Sequence, residues 1–232
     1  MVCGIHGGFG PAADGQAHGR AELSTDHRRS DSDRQTPRDV SAESIPSIYL
    51  ETERLILRRL TENDVDNLYE LDSDPEVMRY LSNGVPHTRE EIVEKILPHY
   101  LGHYERYEGF GFWAAIGRAT GAFIGWFHLL PYRAATEEIE LGYRLKRSAW
   151  GNGYATEGSR GLIEKGFSEL GADKVVADTL ASNVRSRRVM EALRMHLEAE
   201  FALDADEFPH WDEDRRRGVK YALDRKEWES SR

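Results

Sequence analysis

Among its 232 residues the chain has a single cysteine, Cys3. That excludes an internal disulfide framework and points to a reducing compartment, the cytoplasm. With no cysteine pair and nine scattered histidines, the sequence offers no metal-ligand spacing, and no metal is expected. Long apolar runs are absent too: none approaches the roughly 18 residues that a membrane-spanning helix needs. The opening Met1-Val2-Cys3-Gly4-Ile5-His6 lacks the basic start and apolar stretch of a secretory signal. Nor is there an excess of positive charge, since 31 Lys and Arg face 41 Asp and Glu, for a formal charge of −10. A general nucleic-acid binder needs a basic face to displace counterions from phosphates, so that class is set aside. A negative field draws in cations such as protonated amines, although acidity more often serves solubility alone.

Large apolar residues are scarce from Met1 to about Pro46. That stretch is rich in Gly, Ser, Asp and Arg, as in Ser24-Thr25-Asp26-His27-Arg28-Arg29-Ser30-Asp31. It cannot bury enough surface to offset its ordering entropy. Residues 1–46 therefore read as a disordered tail and residues 47–232 as one folded domain. Hydrophobic content of 39% is enough for one core, and the five tryptophans all lie beyond Tyr100, which places the expected core there too.

Within the domain, Arg54 to Leu60 reads as a strand, followed by a helix capped by Thr61 with Val65, Leu68, Tyr69 and Leu71 on one face. Thr88-Arg89-Glu90-Glu91 is a capping box opening a second helix, which Pro98 should kink or split. Strand-like runs follow at Phe110 to Ile116, Ala122 to Leu130 and Glu138 to Leu145. A helix begins near Tyr154, with Ala155, Leu162, Ile163, Phe167 and Leu170 in one stripe and Gly171 as its left-handed end. Lys174 to Leu180 is a strand, and Asn183 caps a last helix. Final strands are expected around Leu197 to Leu203 and Val219 to Leu223. The predicted order β-α-α-β-β-β-α-β-α-β-β makes an α/β (α+β) fold: a mixed, mostly antiparallel central sheet flanked by helices.

The run from Arg144 to Glu157 carries the most chemistry. A strand ends, a loop containing Gly151 and Gly153 follows, and a helix starts. Free N–H groups and the positive dipole end of a helix start bind anions, and glycine lets the backbone approach a pyrophosphate. Arg144, Lys146 and Arg147 add positive charge nearby. A Gly-x-Gly-x-Ala string alone is weakly specific. A dinucleotide fingerprint fails, because its glycines should follow the strand directly and an acid should close the next strand; Leu180-Ala181-Ser182 stands there instead. A P-loop fails for want of Gly-Lys-Ser/Thr.

Trp150-Gly151-Asn152-Gly153-Tyr154-Ala155-Thr156-Glu157 resembles the Arg/Gln-x-x-Gly-x-Gly/Ala signature of the GCN5-related N-acetyltransferase (GNAT) superfamily, in the form typical of its RimJ/RimL-like ribosomal-protein alanine acetyltransferase branch. The likeness covers roughly residues 48–228. It includes Leu50 to Arg58, Asp74 to Met78, Ile139 to Tyr143, Asn183-Val184-Arg185-Ser186 and Tyr221-Ala222-Leu223. It implies an acyltransferase that moves acetyl from acetyl-CoA to a primary amine. The acceptor would be a protein N-terminal α-amino group or a small amine such as a polyamine, an aminoglycoside or an amino-acid-like compound, on a monomer or homodimer. A catalytically silent CoA-binding module is the reading from another class.

By the same resemblance, Trp150, Gly151, Asn152, Gly153, Tyr154 and Ala155 hold the pyrophosphate with help from Thr156. The backbone of Tyr143, Arg144 and Leu145 pairs with the pantetheine arm, and Asn183 and Ser186 approach the cofactor. Attack on a thioester needs a neutral amine, hence a base. Glu140, two residues ahead of Gly142, is the candidate, with Glu138 on the same side of the strand behind it. Many members place a tyrosine seven residues after the capping asparagine. Here Met190 stands there, so Ser186 is the candidate for the acid. Leu193-Arg194-Met195 replaces a more usual Leu-Gly-Phe, and the lost glycine predicts an altered helix end. Trp113, Trp126, Phe127 and His128 lie on strands that would face the substrate groove, where core packing is the commoner fate of such residues. Residues 80–107 and 204–217 should set the acceptor.

Overall fold

The computed structural model describes residues 2–3, 47–82, 84–132 and 135–231. Nearly all of the expected tail lies outside them. Val2–Cys3 does not follow that expectation, for it forms a short strand, β1, on the sheet. β2 (Ile48–Glu51) and β3 (Leu55–Arg59) pair antiparallel. Leu55 and Leu57 are fully buried on β3 while Ile56 and Arg58 are not, the period-two pattern of a half-covered strand. A 3-10 turn at Glu62–Asp64 leads into α1 (Val65–Asp72), and Pro75 sits in the first turn of α2 (Pro75–Met78), where its missing N–H costs nothing.

The Thr88 capping box opens α3 (Arg89–Glu91): the Thr88 side chain accepts from the Glu91 amide, and the Glu91 carboxylate accepts from the Thr88 amide. The helix is not split at Pro98. A π-helical turn at Ile92–Ile96 runs straight into α4 (Leu97–Arg106), with Pro98 in its first turn. The widened turn accommodates the lost donor and the proline ring.

β4 (Gly111–Gly117), β5 (Phe123–Tyr132) and β6 (Ala135–Leu145) form an antiparallel meander. α5 (Tyr154–Ser168) then crosses over to β7 (Lys174–Leu180), which runs parallel to β6. α6 (Val184–Ala192), β8 (His196–Ala202), β9 (Arg217–Asp224) and α7 (Arg225–Ser230) complete the chain. Among the described residues one sheet runs β2-β3-β4-β5-β6-β7-β9-β8, with β1 added on β6. This is the mixed, mostly antiparallel sheet with flanking helices that the element order implies. β1, β2, α2 and α7 are additions to it. No helix of the described residues is long and apolar enough to cross a membrane.

Alternate residues of the strands feed two cores. Phe127, Ile139, Leu141 and Tyr143 pack with Leu162, Ile163 and Phe167 of α5. Phe112, Ala114 and Trp126 face the other way, against Leu68, Leu71, Ile92, Ile96 and Tyr100. Each buried Leu, Ile or Phe among them contributes about 1.5–3 kcal/mol. The second cluster corrects the expectation of a core beyond Tyr100, since much of it comes from residues 60–100.

One irregularity matters for function. β6 and β7 pair only at Glu138, Ile139 and Glu140 with Lys174, Val175 and Val176. β6 continues to Leu145 and β7 to Leu180 without further pairing between them, while β7 stays paired to β9 along its whole length. The two parallel strands therefore part into a wedge that opens toward the start of α5.

Candidate active site

At the open end of the wedge sits the glycine loop. Gly151 and Gly153 have φ of +77° and +81°, the left-handed region that excludes most side chains, and a Cβ on Gly151 would point into open space. From Gly151 through Thr156 no backbone N–H donates to an acceptor among the described residues. These are the free donors at a helix start that suit a diphosphate. Trp150 is the exception among the expected donors, for its amide is spent on the Arg147 carbonyl at 3.1 Å. Its indole instead donates to the carbonyl of Leu145 at 2.8 Å and ties the loop to the end of β6.

The loop is held from the far side of the sheet. The Glu157 carboxylate, in the first turn of α5, accepts from Thr52 Oγ1 at 2.6 Å, the Arg54 amide at 2.8 Å and Arg54 Nε at 2.6 Å. Burial alone would raise the Glu157 acid, but these hydrogen bonds and the Arg54 charge hold it below its ordinary range. Arg54 Nη1 also donates to the Asn152 carbonyl at 2.9 Å, and its guanidinium lies 4.8 Å from the Tyr154 ring centre. Sequence reasoning quoted both residues as part of a resemblance but gave neither a role. The signal was there, in a carboxylate placed where a helix dipole favours it. The expected basic supplement, by contrast, is largely neutralised: Arg144 pairs with Asp72 at 2.6 Å, Lys146 with Glu70 at 2.7 Å and Arg147 with Asp74 at 3.2 Å. The cations beside the loop are Arg54 and Arg185, the latter 4.8 Å from the Trp150 ring centre.

Inside the wedge, β1 pairs with β6 at the expected pantetheine edge, Val2 opposite Arg144 and Cys3 opposite Tyr143. The Leu145 carbonyl is already engaged by Trp150, which leaves Tyr143 and Arg144 as the pairing positions. On the β7 side Asn183 caps α6. Its side chain accepts from the Ser186 amide at 3.4 Å and donates to Ser186 Oγ at 3.2 Å and Thr179 Oγ1 at 3.0 Å, all buried. Met190 is a core residue.

On the face covered by α1 and α4, Glu140, His128 and Arg144 form a buried polar group. Glu140 is 6% exposed, His128 is fully buried, and His128 Nε2 lies 3.6 Å from Glu140 Oε1, beyond a hydrogen bond. Neither Glu140 Oε1 nor either His128 ring nitrogen makes a hydrogen bond among the described residues. An unpaired buried polar atom costs about 1–3 kcal/mol, and its presence calls for a ligand or water that satisfies it. Arg144 is anchored on Asp72, which His87 also meets at 3.1 Å. Burial would raise the Asp72 acid, but the Arg144 charge and the His87 and Arg144 hydrogen bonds hold it below the usual carboxylate range. Glu138 is accounted for by Lys220 at 2.7 Å, an ion pair at the partly exposed end of the strand.

The two segments expected to shape the acceptor side do meet. Tyr80 packs against the cluster of Leu180, Leu203 and Trp211, and Arg215 Nη2 donates to the Arg79 carbonyl at 3.0 Å. Of the aromatic candidates, Trp113, Phe127 and Trp126 are all core, and Trp126 also lies beside His128 with ring centres 5.8 Å apart. The donor atoms of His196, Asp224 and Glu227 lie within 4.8 Å of one another. No spacing in the sequence marks this group, which sits at the start of β8, the end of β9 and in α7, outside the wedge.

Comparison with known proteins bears on the same region. Residues 54–196 match the family described as Acetyltransferase (GNAT) domain. The chain is 33% identical over 187 residues to FsC-acetyl coenzyme A-N(2)-transacetylase of Aspergillus fumigatus, covering 77% of each protein. It superposes on a GNAT-family acetyltransferase from Bacillus anthracis with a TM-score of 0.61 at 22% identity, covering 76% of this chain and 98% of that one. A spermidine N-acetyltransferase from Vibrio cholerae, solved with CoA and spermine, gives 0.60 at 14% identity over 75% of this chain and 97% of its own.

Proposed function

The chain belongs to the GNAT acetyltransferase family, and we propose that it acetylates a small primary amine bound against Glu140 on the α1–α4 face of the sheet. As a member it is an acyltransferase that uses acetyl-CoA. The observation that carries the proposal is the conjunction of unspent amides from Gly151 to Thr156 with a buried Glu140, whose Oε1 makes no hydrogen bond among the described residues, on the strand leading to them. Enclosure of Glu140 and His128 favours a small acceptor over a protein N-terminus, the acceptor of the RimJ/RimL-like branch. The named activity of the Aspergillus relative, on an N(2) position, points the same way.

In this reading the amides of Gly151 to Thr156 hold the diphosphate, and the β6 edge at Tyr143 and Arg144 pairs with the pantetheine amides once β1 vacates it. Acetyl-CoA supplies an activated thioester carbonyl. Glu140 Oε1, which makes no hydrogen bond among the described residues, accepts the proton of the incoming ammonium and leaves a nitrogen lone pair for attack. Ser186, fixed at the start of α6 beside Asn183, hydrogen-bonds the departing sulfur. A hydroxyl is a weak acid, so its contribution is small beside that of Glu140. A Ser186→Ala enzyme with full turnover removes Ser186 from the mechanism.

The test is to mix the chain with acetyl-CoA and a panel of polyamines, amino-acid amides and short peptides while following thiol release. Release with small amines supports the proposal. Release with peptides alone transfers the assignment to an α-amino acetyltransferase, and cofactor binding without release on any acceptor turns it into a silent CoA-binding module.

A further inference from the structure

β7 carries a second acid on the same face of the sheet as Glu140. Strand side chains alternate, and Val175 and Ala177 of β7 point into the core beneath α5. Val176, Asp178 and Leu180 therefore point the other way. The β7–β9 register places Asp178 opposite Lys220, whose ammonium reaches Glu138 on β6 at 2.7 Å, two residues from Glu140 on that same face.

Glu140 stands opposite Val176, the last pair between β6 and β7 before they part. Asp178 is two residues farther along β7, inside the opening. Strands about 4.8 Å apart, with a rise of about 3.3 Å per residue, separate the Glu140 and Asp178 Cα atoms by about 8 Å or more. Beyond Asp178, Leu180 joins Leu203 and Trp211, with Tyr80 packed on them, in the wall built by the two segments expected to shape the acceptor side. Asp178 thus lies between Glu140 and that wall. It is 1% exposed, and β1 lies beside β7 as well as β6, so an acceptor reaches it once β1 has left the wedge. The lysines of this face are directed away from the opening. Lys174 reaches Glu198 on β8 at 2.6 Å, and Lys220 reaches Glu138 and Glu198 at 2.7 and 3.0 Å. Arg144 is matched by Asp72. The two strands that border the opening therefore each present a carboxylate to it.

We propose that Asp178 receives a second ammonium of the acceptor, so that the substrate is a short diamine, with two amines a few carbon atoms apart. This deepens the reading of Glu140 as the base and rests on it. Glu140 removes a proton from the nitrogen to be acetylated. Asp178 binds the other nitrogen in its protonated form, and the carbon chain between them crosses from β6 to β7. Asp178 touches no reacting atom. It sets specificity, and its effect belongs in KM rather than kcat, because the distal ion pair is the same in the ground state and the transition state.

The test compares putrescine with butylamine, its single-amine counterpart, by thiol release from acetyl-CoA with the wild-type chain and with Asp178→Asn. Wild type should favour putrescine at least about tenfold in kcat/KM, the gain from one charge-assisted hydrogen bond. Asp178→Asn should raise the putrescine KM by about that factor, with kcat, the butylamine kinetics and acetyl-CoA affinity little changed. A wild-type ratio near one, or an Asp178→Asn enzyme that keeps the wild-type preference, overturns the proposal. Release with other amines of the panel but not with putrescine overturns it too. Should Asp178→Asn fail to fold, the wild-type ratio decides alone. No release with any amine removes the function on which the proposal rests, whereas equal release with putrescine and butylamine leaves that function standing and removes the role of Asp178.

Discussion

Arg194 has φ of +64°, and among the described residues it is the one non-glycine in the left-handed region. The sequence predicted that without glycine the end of α6 would change. Instead the chain keeps the left-handed turn, closed by the Met195 amide on the Met190 carbonyl at 3.0 Å, with Leu193 and Met195 buried in the core. Anchoring on both sides outweighs a local strain of about 1–2 kcal/mol. Arg194→Gly should therefore raise stability, by up to about 1 kcal/mol after the entropy of glycine is subtracted, as read from the denaturation midpoint. At Glu140 the expected change is in rate. Glu140→Gln should lower kcat by about 10²–10⁴-fold while leaving acetyl-CoA affinity intact, as thiol-release kinetics and calorimetry would show. Glu140 was singled out through the family resemblance, two residues ahead of Gly142 on the strand before the glycine loop, and its role as base stands as proposed above. The partners that decide its chemistry were not legible, since His128 meets it through sheet register and Asp72 reaches Arg144 across 72 residues.

Among the elements, α5 and its loop were the most readable, because a strand end, two glycines and an amphipathic stripe lie within one short stretch. β7 has the predicted bounds, Lys174–Leu180. The elements missed are those without a local pattern. α7 is six mainly polar residues held by an Asp224–Glu227 capping box, and β1 is two residues whose partners lie 140 positions away. β1 also yields a prediction. It covers the β6 edge at Tyr143 and Arg144 that the cofactor arm is proposed to use, so the two compete for the same backbone groups. A chain lacking residues 1–46 should bind acetyl-CoA more tightly than the full chain, by several-fold in Kd, and equal affinities would show that β1 is no obstacle.

At the scale of the whole molecule, acid should unfold the protein in two stages. Burial, then the charges of His99, Arg106 and His128, push His103 down from 6.5 to about 4. It stays neutral in the folded chain over a range where the unfolded chain binds a proton, so stability begins to fall as pH drops below about 6.5. Asp64, Asp72 and Glu157 are buried to different degrees but are held below their ordinary values by Arg58, Arg144 and Arg54 respectively. Their contribution is full above the ordinary carboxylate range and is lost as pH falls through their lowered values. Tm should thus decline gently from pH 6.5 and steeply below 4, and His103→Gln should remove most of the upper slope.

The account turns on the amides between Gly151 and Thr156, and calorimetry with acetyl-CoA reads them directly. The full chain should bind one equivalent, and Gly151→Ala, which disturbs the left-handed turn, should bind on the order of tenfold more weakly with its melting temperature little changed. No heat of binding from the well-folded chain, with or without residues 1–46, would contradict the account.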